Sequence, residues 1–273
     1  MEDRVRTWGV SVESIVDTES SVVAFGHRSH QPVVVKVAKG PGDEWFAGAA
    51  LEAFAGRGVV RVLDYVDGAV LLERLVPGRS LFEVEEIDDG KATEILAEVI
   101  GRMSPASPPA TAVTVDAWSE GFRRYAVRRT EEIPPVLVDD ASEVYAELCD
   151  SQSSTRLLHG DLHHHNVLLD AQRGWLAVDP KGVIGELEYE VGAALRNPIE
   201  RPGLVAQPGT IERRVEHFAT ALDLGAGRVL RWAFAQAVLA AIWEVEDAGV
   251  LRTGAGFVAL ANVIHPMLGR GGS

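Results

Sequence analysis

The chain has 273 residues, 47% of them hydrophobic, which is enough to bury a large core in one domain or two lobes. Its 26 Lys and Arg stand against 40 Asp and Glu, and the net charge of −14 argues against a nucleic-acid surface while suiting a cationic substrate. A single Cys excludes an internal disulfide, and the sequence shows neither a membrane-spanning run nor a signal-peptide pattern. We therefore expect a cytoplasmic protein that binds neither nucleic acid nor membranes.

The first part of the chain, residues 5 to 38, has the pattern of consecutive strands. Ser11 to Val16 alternates, Ser21 to Phe25 is a second run, and Val33 to Val37 is a buried strand with Lys36 in its middle. A buried Lys needs an anionic partner, which nucleotide phosphates would supply. The alternative is an edge-strand Lys whose ammonium group reaches solvent.

A helix is predicted next, from Asp43 to Arg57, with Asp43 as its N-cap. We expect it to contribute a carboxylate partner for Lys36. Glu44 and Glu52, one near each end, are the two alternatives.

Two more strands are predicted at Val59 to Tyr65 and Ala69 to Leu75, after which Pro77-Gly78 breaks the chain. We place a lobe boundary at this break. Residues 1–76 would form one lobe and residues 77–273 the other.

The second lobe is predicted to be mainly helical. Residues 104–111, rich in Pro and Ala, are predicted to be a loop, and three Pro and two Gly make residues 197–209 irregular. The predicted helices are Asp89 to Met103, Val115 to Glu132, Ala141 to Ser151, Tyr189 to Leu195, Thr210 to Leu222, Gly227 to Asp247 and Gly256 to Leu268.

The most informative stretch runs from Leu157 to Leu169 and is predicted to be a strand, a tight loop and a second strand. Four residues separate Asp161 from Asn166 in the loop, as in a protein-kinase catalytic loop. A second acid, Asp179, follows another predicted strand, Trp175 to Val178. Carboxylate and amide oxygens at adjacent strand ends suit Mg²⁺.

Two other interpretations of this loop remain. Asp and Asn are ordinary turn residues, so the loop can simply be solvated. Its four His residues (159, 163, 164 and 165) can instead indicate a zinc site, and hence a metal hydrolase. Against zinc, three consecutive side chains diverge and cannot all reach one tetrahedral ion.

Several stretches together resemble the aminoglycoside phosphotransferase family, and within it the branch of streptomycin kinases and hydroxyurea phosphotransferases. They are Val34-Val35-Lys36, Gly56 to Asp64, Leu71 to Leu75 with Pro77 to Leu81, His159 to Asn166, Ala177 to Gly182, Gly185 to Pro198, and Arg231 to Gln236 with Trp243-Glu244. The resemblance implies an α+β, bilobal, protein-kinase-like fold, with an antiparallel sheet and one helix in the N-lobe and a mainly helical C-lobe. It also implies that the N-lobe binds nucleotide and that the C-lobe holds the catalytic and acceptor sites.

The resemblance further implies roles for individual residues. Asp161 would accept the proton of the acceptor hydroxyl, and Asn166 and Asp179 would hold Mg²⁺. The remaining residues would bind the nucleotide: Lys36 (paired with Glu44 or Glu52), Ser20 and Ser21 at the phosphates, and the backbone of Glu73 and Leu75 at the purine.

The acceptor wall is predicted from acidic and aromatic residues, since ammonium groups attract carboxylates. The residues are Glu186, Glu190, Trp243, Glu244 and Asp247. Glu190 also suits an orienting role for the catalytic loop, and the default role of Trp243 is core packing.

The expected activity is transfer of the γ-phosphoryl group of ATP (or GTP), with Mg²⁺, to a hydroxyl of an aminoglycoside, an aminocyclitol or a similar small acceptor, by a monomer or homodimer. The alternatives are a non-catalytic nucleotide-binding module and a kinase of a neutral acceptor such as hydroxyurea or a sugar.

Overall fold

The computed structural model describes residues 1–42, 44–84, 88–103, 107–128, 130–252 and 255–269. Five strands form the first sheet: β1 (Val10–Asp17), β2 (Ser21–Arg28), β3 (Gln31–Ala38), β4 (Val62–Val66) and β5 (Ala69–Glu73). All neighbours are antiparallel, in the spatial order β1-β2-β3-β5-β4. The predicted N-terminal antiparallel sheet is therefore confirmed.

The central strand, β3, confirms the strand predicted at residues 33–37. Val33 and Val35 are fully buried, and Val35 lies between Ala24 on β2 and Leu71 on β5, which are buried as well. Because side chains alternate along a strand, Lys36 is on the opposite face, where it is only partly buried. That face is directed at the rest of the molecule.

In the described part of residues 1–76, two helices accompany this sheet. A short one, α1 (Glu2–Thr7), was not predicted, because its polar sequence has no helical apolar stripe. The second, α2 (Ala47–Phe54), is shorter than the helix predicted over residues 43–57, and Asp43 lies outside the described residues. It ends where Ala55 adopts a left-handed conformation, with φ of 52°.

Strand β4 begins at Val62 rather than at Val59 as predicted. The preceding residues bind another part of the chain instead. The Val60 N–H donates to the Ala177 carbonyl at 2.9 Å, and the Ala177 N–H donates to the Gly58 carbonyl at 2.8 Å. This segment therefore joins the first sheet to the region of the predicted catalytic loop.

Among the described residues beyond residue 76, six short strands form two small sheets. The strands are β6 (Pro77–Ser80), β7 (Val113–Thr114), β8 (Arg156–Leu158), β9 (Val167–Asp170), β10 (Gly174–Ala177) and β11 (Val183–Gly185). Their spatial orders are β10-β9-β6 and β7-β11-β8. The chain thus leaves the five-stranded sheet after Glu73 and begins a strand of a different sheet at Pro77.

The remaining helices of the described residues include one long helix, α10, against which five of the others pack. They are α3 (Asp89–Met103), α4 (Val115–Trp118), α5 (Glu120–Val127), α6 (Pro135–Asp150), α7 (Leu187–Leu195), α8 (Pro202–Val205), α9 (Pro208–Leu222), α10 (Ala226–Ala248) and α11 (Ala255–Leu268). Trp232 on α10 is fully buried, and its ring lies 5.1 Å from that of Tyr145 on α6 and 4.9 Å from that of Tyr189 on α7. The mainly helical second lobe is confirmed.

Three of the predicted segments differ in the structure. The helix predicted at Ala141 to Ser151 begins earlier, at Pro135, because Pro is tolerated in the first turn of a helix. The helix predicted at Val115 to Glu132 is two short helices, α4 and α5. The stretch 197–209, predicted to be irregular, contains α8 and the start of α9, because Pro202 and Pro208 occupy first-turn positions where no N–H is needed. Of the predicted loop 104–111, residues 104–106 lie outside the described residues. No helix of the described residues is long and apolar enough to span a membrane.

Candidate active site

A cleft of about 470 Å³ separates the five-stranded sheet from the second half of the molecule. Strands β2, β3 and β5 form one wall, and the segments around β6, β9 and β10 form the other. Seven of the predicted site residues line it: Ser20, Ser21, Lys36, Glu73, Leu75, Asn166 and Asp179.

Lys36 is the charged centre of this cleft. Its Nζ lies 2.8 Å from Glu44 Oε2 and also contacts Asp179 Oδ1. Glu44 is thus the helix-side partner, whereas Glu52 accepts a hydrogen bond from the Tyr65 hydroxyl. Burial alone would raise the pKa of Glu44, but the bond to Lys36 and its charge outweigh burial and lower it.

The two Ser residues of the β1–β2 turn differ in their contacts. Ser20 Oγ donates to Glu44 Oε1 at 3.0 Å, so it helps to hold the partner of Lys36. Ser21 is buried, and its Oγ lies 3.0 Å from Thr18 Oγ1. The hydroxyl of Ser21 is therefore engaged in the turn itself.

Glu73 and Leu75 lie where the chain passes between the two halves of the molecule. The Glu73 carboxylate accepts the Arg61 N–H at 2.9 Å and also binds the guanidinium group of Arg173. Arg173 donates further to the Gly56 carbonyl at 2.8 Å. This Arg, from the β9–β10 turn, was not predicted to have a role, and it fixes the connecting segment.

The catalytic-loop sequence folds as predicted, as strand β8, a loop and strand β9, with a 3-10 turn at His164–Asn166. Asn166 Nδ2 donates to the Asp161 carbonyl at 2.9 Å, which closes the loop. The Val178 N–H donates to the Asn166 carbonyl at 2.9 Å, which brings the end of β10 beside it. Asn166 and Asp179 consequently line the same cleft.

His159 and Glu190 form hydrogen bonds with the backbone of the catalytic loop and of the segment beside it. His159 Nε2 lies 2.8 Å from the Val178 carbonyl, which can only accept, so the proton is on Nε2. Nδ1 then accepts the Asp161 N–H at 3.3 Å, and burial lowers the pKa of His159 to about 4. Glu190 accepts the N–H of His159 at 2.6 Å and that of Gly160 at 3.0 Å, and its orienting role stays a prediction.

Asp161 is enclosed by cationic and imidazole groups. Arg196 Nη2 donates to its Oδ1 at 2.8 Å, and His163 Nε2 lies 3.8 Å from its Oδ2. Burial would raise the pKa of Asp161, but His163, Arg196 and Lys181 together outweigh it and lower the pKa. Asp161 is therefore ionised at neutral pH and able to accept a proton.

The predicted acceptor wall needs correction at two positions. Glu186 is buried, where it accepts from Arg228 Nε at 2.5 Å and from the Trp232 indole, so it is committed to packing between α7 and α10. Glu190 is buried too, and both of its carboxylate oxygens accept N–H groups of the catalytic loop, so neither is left for an acceptor. The sequence alone does not distinguish a buried carboxylate from one that lines a cleft.

The other three acceptor residues lie on α10. The ring of Trp243 packs edge-on against that of Trp118, 5.7 Å away, and Trp118 in turn lies next to Gly160 of the catalytic loop. Glu244 is half-buried and accepts the Arg252 N–H at 3.3 Å, while Asp247 is exposed. Their role toward an acceptor stays a prediction.

The zinc interpretation finds no support in the geometry. The three consecutive His side chains do diverge: His163 is beside Asp161, His164 is buried, and His165 binds Glu200 at 2.8 Å. Within the described ranges, no three His, Cys, Asp or Glu side chains form a group that could hold a metal ion.

Residues 7–248 match the family described as aminoglycoside/hydroxyurea antibiotic resistance kinase. The chain belongs to this family. The predicted family and the phosphotransferase class are thereby confirmed.

Three proteins similar to this chain are named as kinases or phosphotransferases. Streptomycin 3''-kinase of Klebsiella pneumoniae is 31% identical over 85% of this chain and 87% of its own length. Streptomycin 6-kinase of Streptomyces griseus is 31% identical over 72% of this chain, and hydroxyurea phosphotransferase of Kitasatospora aureofaciens is 32% identical over 84%. The alignment spans 66% of each of these last two proteins.

Solved structures establish the fold of this kinase family member. The aminoglycoside phosphotransferase APH(4)-Ia, in a ternary complex with ADP and hygromycin B, has a TM-score of 0.69 and 16% identity, covering 100% of this chain and 98% of that one. A choline/ethanolamine kinase family protein from Mesorhizobium loti has a TM-score of 0.65 and 15% identity over 98% and 92%. The predicted protein-kinase-like fold is confirmed.

Proposed function

We propose that this protein is an ATP-dependent kinase that transfers the γ-phosphoryl group to a hydroxyl of an aminoglycoside or aminocyclitol of the streptomycin class. The observation that carries the proposal is the convergence of Lys36, Asn166 and Asp179 at one cleft between the two halves of the molecule, with the Asp161 carbonyl bound to the Asn166 side chain. Phosphoryl transfer depends on positioning and charge neutralisation, and these residue types supply both.

The nucleotide would be bound by residues 1–76, and residues 77–273 would carry the catalytic groups. Lys36 would hold the phosphates, with Glu44 keeping its ammonium group in the cleft. The turn at Ser20 and Ser21 would cover the phosphates, and the backbone of Glu73 and Leu75 would meet the purine edge. The same contacts would serve GTP.

Asn166 and Asp179 fit Mg²⁺ in the chemistry of their donor atoms. Both present oxygen ligands to the cleft, and Asn166 uses its amide nitrogen for Asp161, which leaves its amide oxygen available. Mg²⁺, when bound with the nucleotide, would neutralise phosphate charge.

Asp161 would accept the proton of the attacking hydroxyl. Its lowered pKa keeps it ionised, and Oδ1 is bound to Arg196, so Oδ2 is the oxygen left for the acceptor. Glu190 would maintain the loop by binding two of its N–H groups.

Aminocyclitol acceptors are favoured by the relatives named streptomycin kinase and by the net charge of −14. On α10, Trp243, Glu244 and Asp247 would then face the acceptor. A neutral acceptor is the second candidate, because one relative of equal similarity is a hydroxyurea phosphotransferase.

The test is a phosphorylation screen with Mg-ATP over streptomycin, other aminoglycosides, hydroxyurea, sugars and choline-like alcohols, with detection of phosphorylated product by mass spectrometry. The proposal expects product with streptomycin or a related aminocyclitol, and none with Asp161→Asn. Product from hydroxyurea alone would favour the second candidate. ATP binding without any product would favour the non-catalytic module.

A further inference from the structure

Arg196, at the C-terminal end of α7, connects the catalytic loop to the central helix. One arm of its guanidinium group, Nη2, donates to Asp161 Oδ1 at 2.8 Å, and the other, Nη1, donates to Gln236 Oε1 at 3.1 Å. Only 10% of the Arg196 side chain is exposed. A charge-assisted bond shielded from water in this way is stronger and better defined than a surface ion pair.

The far end of this connection is firmly anchored. Gln236 is buried in α10, and its Nε2 donates to the Tyr189 carbonyl on α7 at 2.6 Å. The amide group occupies space left by Gly192, where an added Cβ would lie 2.4 Å from Gln236 Oε1. Gln236 therefore has one orientation, with its oxygen directed at Arg196.

We propose that Arg196, held by Gln236, is a positioning residue that fixes the Asp161 carboxylate with Oδ2 directed at the acceptor hydroxyl. This inference rests on the proposed function and adds a residue to it. It also gives a role to two stretches of sequence that the phosphoryl-transfer groups leave unexplained, Arg196-Asn197-Pro198 and Arg231 to Gln236.

The planar fork of Arg suits this task better than the ammonium group of Lys. Two nitrogens of one rigid plane bind two fixed acceptors, so the position of Asp161 Oδ1 is tied to that of Gln236. A Lys can supply the charge, but a single ammonium nitrogen cannot reproduce both bonds in the same plane. A displacement of a catalytic group by about 1 Å can cost about 100-fold in rate.

The experiment compares Arg196→Met and Arg196→Lys with Arg213→Met, an exposed Arg of α9 that bonds the carbonyl of its own helix at Gly209. Steady-state rates are measured with Mg-ATP and streptomycin, or the acceptor found in the screen, and the affinity for Mg-ATP is measured by calorimetry. Crystal structures of wild type and Arg196→Met report the orientation of the Asp161 carboxylate without any acceptor.

Arg196→Met is expected to lower kcat roughly 10- to 100-fold while KM and Kd for ATP stay within about twofold, because the base and not the nucleotide is misplaced. Arg196→Lys should recover stability but only part of kcat, and Arg213→Met should resemble wild type. In the crystal structure of Arg196→Met, the Asp161 carboxylate should leave its wild-type orientation.

A purely structural role predicts a lower Tm with an unchanged kcat for the folded enzyme. An unchanged kcat in Arg196→Met, or an unchanged Asp161 orientation in its crystal structure, would overturn the proposal. If wild type phosphorylates no acceptor, the proposed function fails, and the crystal structures alone decide the positioning role.

Discussion

Lys36 Nζ lies 2.8 Å from Glu44, which precedes the first turn of α2, and not beside Glu52 in the last turn of that helix. Ser20 and Lys181 also contact Glu44, at 3.0 and 3.4 Å. The Glu44 carboxylate therefore contacts side chains from three segments: the β1–β2 turn, the central strand β3 and the segment that follows Asp179. The partner of Lys36 therefore comes from the segment just before α2 and not from the eight residues of the helix itself.

The first prediction follows from this pairing. Glu44→Gln should weaken Mg-ATP binding about tenfold or more, because a charge-assisted bond contributes about 1.5–3 kcal/mol and Lys36 would lose it. Glu52→Gln is the matched control, since Glu52 binds only the Tyr65 hydroxyl among the hydrogen bonds described. Calorimetric titration of both variants decides the point, and equal affinities would remove Glu44 from the nucleotide site.

A second prediction concerns the metal ligands. Asn166→Ala and Asp179→Ala should each raise the Mg²⁺ concentration needed for half-maximal activity, because each removes an oxygen ligand. Asp17→Ala, which affects only an exposed pair with Lys39, is the control. Mg²⁺ titrations at fixed ATP with the same midpoint in all four proteins would exclude the assignment.

Two long helices were predicted well, whereas the two short helices whose separation depends on tertiary contacts were not. The helix Asp89–Met103 was predicted to the residue, and α10 to within one residue at each end. The interruption between α4 and α5 was missed because it depends on packing. Gly121 lets α5 approach α10 so closely that a Cβ would lie 2.7 Å from Leu239, a contact with no local signal.

The candidate site divides in the same way. Asp161, Asn166, Asp179 and Lys36 were predicted because spacing and strand context mark them. Glu186 was misassigned because its partners, Arg228 and Trp232, lie more than forty residues further along the chain. The contact of Arg196 with Asp161 was not predicted, although Arg196 lies in a stretch that resembles the family. A sequence motif shows which residue types occur at which positions, but not which side chains touch in the folded protein.

The third prediction uses the buried Glu190, whose pKa burial raises from 4.5 to about 7. Between these values the folded state binds one more proton than the unfolded state, so this group lowers stability as pH rises through about 7. Relative to Glu190→Gln, wild type should lose on the order of 3 kcal/mol of unfolding free energy between pH 4.5 and pH 8. Urea unfolding measures this difference, and Glu188→Gln on the same helix is the control. If the free energy of unfolding changes with pH in the same way for wild type and Glu190→Gln, the raised pKa of Glu190 is contradicted.

The fourth prediction concerns the acceptor. If the acceptor is cationic, Glu244→Gln should raise its KM up to about fivefold at low salt, with less effect at high salt and none on KM for ATP. Glu246→Gln is the control, because Glu246 is already paired with Arg124 at 2.7 Å. Kinetics with streptomycin and hydroxyurea separate the cases. An unchanged KM for every cationic acceptor would discard Glu244 and leave the kinase assignment standing.

The most direct test of the account is Asp161→Asn, which keeps the shape of the side chain and removes its ability to take a proton. The account predicts that kcat falls at least about 100-fold, the usual contribution of a general base, while the Kd for Mg-ATP stays within about twofold of wild type. These are measured by product formation and by calorimetry on the same preparation. Retention of more than about a tenth of the wild-type kcat would contradict the central claim that Asp161 accepts the proton of the acceptor hydroxyl.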